Sequence, residues 1–594
     1  MDPAVPDRVH APEPGVVLGA GPFKSSMEAN ILYLLADANL DDMLFTFRQL
    51  AGNPNPPGQK RGWENMFPAH AAQFLMGAGN TLHWMEHPLL RERLDRLLEE
   101  IKACRTPEGY LLVPSLGAGP LLPPPDMSIW GFSSSYFAEG MVAAGRAGSR
   151  TAYELLAAGN RKYREIILAA PAKLALKTHM NYQGHLASML ACLSPVGTPE
   201  DIRAAEHQFV SPEWMRLLAE RDPRGIWQAP LLSSHSALTY GFEAYLDQYR
   251  ATGERQYLEA SLGAWELMHE HWEHVGGTLA ICESEAYRGV YAYPPKCYPL
   301  TTKRHVGELC ASVFWLRFNH RFHLLFPEEE RFADEIEKCI YNVALAGQDP
   351  DGKGMHYHLP LEGRKNQHDL RMGMPVPSII HTCCEGASTW LYGNLPEYLF
   401  SIDDDGLWWN LYHPSSVTWK RGDRRVRLAV ETGFPEDGEV MARIETDRPA
   451  PMVLRLRIPR WCSGDVPVMV DGRLAAVGTP GTYLTVDRTW NRGEKISFSL
   501  PLDFQAHHYA AGEDRIPGKE RYAVTCGPLL LAWVGSPDEG VLEIPYESAR
   551  IDEWLRPDPN RSLEFRVEGS ADCRFIPYCK VGHDQAFTCY PVMK

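Results

Sequence analysis

The chain of 594 residues predicts a mixed α+β protein of several domains: helical in its first two thirds, strand-rich in the remainder. Three observations carry this. Single cores stop growing at roughly 250–300 residues, so a chain of this length divides. Apolar residues up to about residue 410 recur at helical spacing, and after about residue 411 the period falls to two.

In the first part, Leu90, Leu94, Leu97, Leu98 and Ile101 form one apolar stripe with charges between them. Similar blocks begin near Ile31, Ala152, Ser236, Tyr257, Cys310 and Arg331. Pro- and Gly-rich punctuation separates them at 53–58, 120–125 and 195–199. This length holds about ten to twelve helices of ordinary size. Sequential helical hairpins close either into a ring of inner and outer helices or into an irregular bundle, and periodicity does not choose between them.

In the second part, 425–430, 440–444, 453–458, 466–470 and 483–486 read as short strands, bounded by turns at Asp437-Gly438, Asp471-Gly472 and Gly493-Glu494. Strands of this length and spacing suggest a β-sandwich. A further strand-rich stretch includes 522–525 and 529–534, with a soft boundary near Pro501. The expected domains are therefore 1–410, 411–500 and 501–594.

A formal charge of −16 argues against non-specific binding to nucleic acid or to an anionic membrane, both of which need a basic face. The N-terminus lacks a basic start followed by an apolar run, and no apolar stretch reaches the roughly 18 residues that span a bilayer. A cytoplasmic location is the default expectation. Thirteen scattered Cys do not form the short, dense framework of a secreted disulfide protein. Sixteen Trp and twenty-five Tyr suit sugar rings as well as cores.

Two local clusters bring together residue types capable of chemistry. Glu308 and Cys310 stand at a helix entry, and Cys383-Cys384 are adjacent in His381-Thr382-Cys383-Cys384-Glu385-Gly386. Zinc takes thiolate, imidazole and carboxylate ligands, usually four. Residues two apart converge at a helix entry but diverge within a helix. An adjacent pair can share an ion where the backbone is irregular, which Gly386 would permit. The competing readings are ordinary buried thiols and a strained vicinal disulfide. A metal would deprotonate a thiol outright and create a nucleophile. A proton donor could come from Glu283 or Glu285, which lie among apolar and aromatic neighbours after Gly276-Gly277.

These residues resemble glycoside hydrolase family 127, the bacterial β-L-arabinofuranosidases. The resemblance runs from about Ile31 to Ala532. It includes Gly62-Trp63-Glu64, Gly109-Tyr110-Leu111, His235, Gly276-Gly277, Glu308-Leu309-Cys310-Ala311, Tyr341-Asn342 and Cys383-Cys384, then Leu411-Tyr412, Arg457-Ile458-Pro459-Arg460-Trp461 and Gly527-Pro528-Leu529. It implies an (α/α)6 barrel followed by two β-sandwich domains, and Zn2+ held by Glu308, Cys310, Cys383 and Cys384. It implies Cys383 as nucleophile and Glu285, two residues before Tyr287, as acid/base. His185, His235 and Tyr357 are the implied holders of sugar hydroxyls, although His356 and His358 could displace Tyr357.

The implied activity is a retaining exo-glycosidase on a plant-derived glycan or glycoconjugate, with the β domains available for a homodimer contact. The alternatives are a related glycosidase on a branched or acidic sugar, and a non-catalytic carbohydrate-binding protein with structural zinc. Lys296, Lys303 and Arg304 depart from the family pattern and would favour an acidic sugar if they faced the pocket.

Overall fold

The computed structural model describes residues 1–36, 39–57, 67–107, 109, 127–173, 192, 194–227, 235–280, 294–301, 306–349, 354–365, 383–534, 543–569 and 573–594. The apolar stripe at 90–101 becomes helix Pro88–Ala103, whose buried residues are Leu90, Leu94, Leu97, Leu98 and Ile101. Pro88 opens this helix where no backbone donor is needed, and His87 accepts the Leu90 amide at 3.3 Å.

Helices fill the N-terminal part up to Gly393, and β-sheets dominate the C-terminal part. Helix Phe67–Trp84 lies against both Met127–Arg146 and Cys383–Gly393. Helix Leu309–Leu325 packs against His235–Thr252 and Cys383–Gly393. Its entire length is buried apart from Leu324, so it runs through the interior of the helical part.

A seven-stranded sheet takes the order 16–18, 415–421, 424–432, 439–446, 495–499, 466–470, 473–478. A four-stranded sheet takes the order 482–490, 450–458, 406–409, 400–402. Trp409 of the smaller sheet meets Phe498 of the larger edge to face, with centroids 5.9 Å apart. Two strands of the smaller sheet thus precede residue 411, and residues 16–18 add an edge strand to the larger one by pairing with 415–417. The last sheet is built mainly from residues 504–593, and Glu362–Gly363 joins it by pairing with Phe587–Thr588.

Two polar contacts fasten the helical part to the sheets. Arg457, fully buried on strand Ala450–Ile458, reaches Glu330 at 2.8 Å, Glu337 at 3.1 Å and Asp334 at 3.4 Å, all on helix Glu330–Lys338. Trp461 donates its indole N–H to Glu337 at 2.8 Å. The second contact is Asn342, which donates to the Pro528 carbonyl at 2.9 Å and accepts the Leu530 amide at 2.8 Å. The Arg457–Trp461, Tyr341-Asn342 and Gly527–Leu529 motifs therefore share one physical role, holding the sheets against the helices.

Candidate active site

The site is built where two helices begin. Glu308 is the N-cap residue of helix Leu309–Leu325, and Cys310 lies in its first turn. Cys383 and Cys384 open helix Cys383–Gly393. Gly307 precedes the first helix with φ +72°, and a Cβ there would stand 2.4 Å from the Leu359 carbonyl oxygen. Only glycine fits that turn, which lets residues 307–309 run beside 357–359. The Leu359 amide donates to the Gly307 carbonyl at 2.8 Å, and the Leu309 amide to the Tyr357 carbonyl at 3.0 Å. Gly386 does not loosen the backbone after the cysteine pair, contrary to the sequence expectation. It is helical, and a Cβ there would meet the Gln73 side chain at 2.1 Å, so its absence lets the two helices close up. The pair converges with Glu308 and Cys310 because both helices start at this point.

One ligand atom from each of Glu308, Cys310, Cys383 and Cys384 lies within 4.8 Å of the others. The Cys310 sulfur is 3.2 Å from Glu308 Oε1 and 3.6 Å from the Cys383 sulfur. The Cys383 sulfur is 3.7 Å from Glu308 Oε1, and the Cys310 amide points at the Cys384 sulfur from 3.4 Å. None of these sulfurs is in a disulfide. Glu308, Cys310 and Cys384 are fully buried, while Cys383 keeps 5% of its surface. Cys383 is thus the one of the four that is not fully buried.

Burial, followed by the two neighbouring thiols, pushes the Cys310 thiol well above its ordinary range. A buried group of three sulfurs and a carboxylate cannot hold several negative charges without a cation. The two helix N-termini favour anionic sulfur but supply only partial charge. Three sulfurs and one oxygen at this spacing suit a tetrahedral metal, so the four residues could hold one.

Tyr357 also lies here. Its hydroxyl is 3.4 Å from Glu308 Oε1 and 3.9 Å from the Cys383 sulfur. His358 pairs through its backbone with Glu308, and its ring centroid is 4.5 Å from that of Tyr357. In sequence His358 stands only as a competitor for the site, yet in the fold it buttresses Tyr357.

The remaining expected residues are less fully placed. His235 is the first residue of helix His235–Thr252, as expected, and its side chain lies outside the described residues. His185, Glu283, Glu285, Lys303 and Arg304 also lie outside them. Lys296 is described: it pairs with Glu270 at 2.9 Å at the surface, which removes it from the cations that could favour an acidic sugar.

The family model for the GH127 β-L-arabinofuranosidase catalytic domain matches residues 217–392, and that for the GH127 middle domain matches 406–502. Over these two stretches the chain is similar to the GH127 family. Both ligand pairs and Tyr357 fall within the catalytic match. A non-reducing end β-L-arabinofuranosidase from Bifidobacterium longum subsp. longum is 27% identical over 250 residues, which cover 39% of this chain and 36% of that protein. The chain thus spans about a third of that relative's length. A GH127 β-L-arabinofuranosidase from Geobacillus stearothermophilus T6 superposes with a TM-score of 0.73 at 19% identity, covering 98% of this chain and 100% of the other. A second GH127 β-arabinofuranosidase gives 0.72 at 17% identity, with 99% and 98% covered. These two structures bear on the fold. Among the described residues, no helix is long and apolar enough to cross a membrane.

Proposed function

We propose that this chain is a GH127 member and a retaining exo-glycoside hydrolase of the β-L-arabinofuranosidase kind, with Cys383 as nucleophile and Glu285 as acid/base. The observation that carries the reading is the buried Glu308–Cys310–Cys383–Cys384 cluster, in which Cys383 alone keeps exposed surface. We take the helical part as an (α/α)6 barrel and the sheets as two β-sandwich domains, divided near residues 410 and 500.

The four residues would hold Zn2+, which when bound supplies the positive charge that keeps the thiols ionised. Cys383 attacks the anomeric carbon as the bond to the leaving oxygen breaks, and Glu285 gives that oxygen its proton. The resulting thioglycosyl link is then cleaved by water. Glu285 takes the water's proton, the oxygen bonds to the anomeric carbon, and the Cys383 sulfur leaves with the electron pair. Two inversions at one carbon give net retention. Tyr357, with its hydroxyl beside Cys383, positions the sugar, together with His185 and His235.

The test is intact-protein mass spectrometry after mixing with an activated β-L-arabinofuranosyl probe, alongside hydrolysis of a panel of aryl glycosides. The expected result is one glycosyl adduct mapping to Cys383, with β-L-arabinofuranoside cleaved fastest. An adduct on a carboxylate, or no cleavage of any furanoside, overturns the proposal.

A further inference from the structure

A second group of ligand-type side chains lies apart from the thiolate cluster and takes no part in the chemistry above. Asp349, His356 and His583 arrive from three segments: the turn after helix Leu345–Gly347, the stretch that carries Tyr357, and the turn before strand Phe587–Thr588. Asp349 Oδ1 is 2.6 Å from His583 Nε2 and 3.8 Å from His356 Nε2. The two imidazole centroids are 4.5 Å apart, and a ligand atom from each residue lies within 4.8 Å of the others.

Ligand atoms around a tetrahedral zinc, at roughly 2.0–2.1 Å from the ion, stand about 3.3 Å from one another. The observed spacings bracket that value, so side-chain rotation suffices to centre an ion. His356 is buried, and burial, followed by the Lys365 charge, pushes its pKa down to about 3. Asp349 keeps 21% of its side-chain surface and His583 43%, which leaves an open face for an entering ion.

A direct carboxylate–imidazole contact accounts for the 2.6 Å spacing. It does not account for a second imidazole placed 3.8 Å from the same carboxylate oxygen. Two imidazoles and one carboxylate with an open position are a donor set for Zn2+ and related divalent ions.

We infer that Asp349, His356 and His583 form a second divalent-metal site, which clamps the C-terminal sheet to the stretch that positions Tyr357. Its three ligands join segments more than 200 residues apart in sequence, since His356 and His583 are separated by 227 positions. The hydrolase reading is not required for this site, and its test does not use activity.

Zn2+ alone is titrated by calorimetry into the full chain, purified with the thiolate cluster already loaded. Wild type is expected to take up one further ion per chain. His583→Ala and Asp349→Asn are each expected to take up none, with circular dichroism unchanged. His583 is the more exposed of the two, so its variant reports if the Asp349 variant does not fold. Cys384→Ser is expected to keep this uptake. The inference is overturned if wild type takes up no further ion, or if the His583 variant takes up as much as wild type.

Discussion

Two buried polar clusters in this chain close their charge in opposite ways. Around Arg457 and Arg460, the carboxylates of Glu330, Asp334 and Glu337 find cationic partners within the protein. Around Cys310, three sulfurs and Glu308 face one another, with the Tyr357 hydroxyl, the Cys310 amide and the Cys310 thiol among the donors. The first cluster is self-sufficient and joins two parts of the fold. The second brings four metal-ligand side chain types together and could hold a cation. Burial alone therefore does not distinguish a structural polar cluster from a functional one.

The largest expected effect falls on the cluster around Cys310. Cys383→Ala should lower kcat/KM by at least about 10^3-fold, some 4 kcal/mol of barrier, measured on an aryl β-L-arabinofuranoside. Retention of most activity would break the distinction, since the cluster would then be only structural.

Arg457→Met should act on stability instead. Removing the cation leaves buried carboxylates uncompensated, at a cost of about 3–5 kcal/mol in chemical denaturation. The folded fraction should keep its kcat. A comparable fall in kcat would mean that the two clusters are not separable.

Glu397 sharpens the comparison through pH. Burial opposes its charge, but Arg146, then His320, outweigh burial and hold its carboxyl down at about 2. Its folded pKa is below its unfolded value, so it stabilises the protein above about pH 4.5 and loses that contribution as pH falls toward 2. The contribution is on the order of 2–4 kcal/mol. The stability difference between wild type and Glu397→Gln should shrink across that window. A difference independent of pH would exclude this linkage.

The smallest effect belongs to Tyr357→Phe, which removes one hydroxyl beside Cys383. It should lower kcat/KM by about tenfold, or ~1.4 kcal/mol, with the melting temperature little changed.

The candidate cluster around Cys310 is legible in the sequence, whereas the one around Arg457 is not. Metal-ligand chemistry is local, so Glu308-x-Cys310 and Cys383-Cys384 each carry their meaning over a few residues. Glu330, Asp334 and Glu337 form a stripe at helical spacing, and such acidic stripes ordinarily face solvent. Arg457, 120 positions beyond Glu337, is what allows it to be buried, and only tertiary structure pairs the two. The Arg457–Trp461 motif is visible in sequence as part of a resemblance, without its purpose.

The strands show the same limit. Val466–Val470 and Leu529–Val534 have in the structure the boundaries that their sequence pattern predicts. Phe400–Ile402 and Gly406–Trp409 escape a sequence reading because they are three and four residues long and largely buried on both faces, which leaves no alternation to detect. Gly406–Trp409 also pairs parallel with 453–456, a long-range choice that no turn signals. Val16–Leu18 escapes it because its partner strand lies about 400 residues away.

The central claim is that the cluster around Cys310 requires a cation, and zinc-edge X-ray absorption tests it most directly. The His583→Ala variant is the sample of choice, so that only the Glu308–Cys310–Cys383–Cys384 site contributes. The account predicts a four-coordinate ion with three sulfurs at about 2.3 Å and one oxygen near 2.0 Å. A coordination shell without sulfur, or three freely titrating thiols in protein purified with zinc, would contradict it.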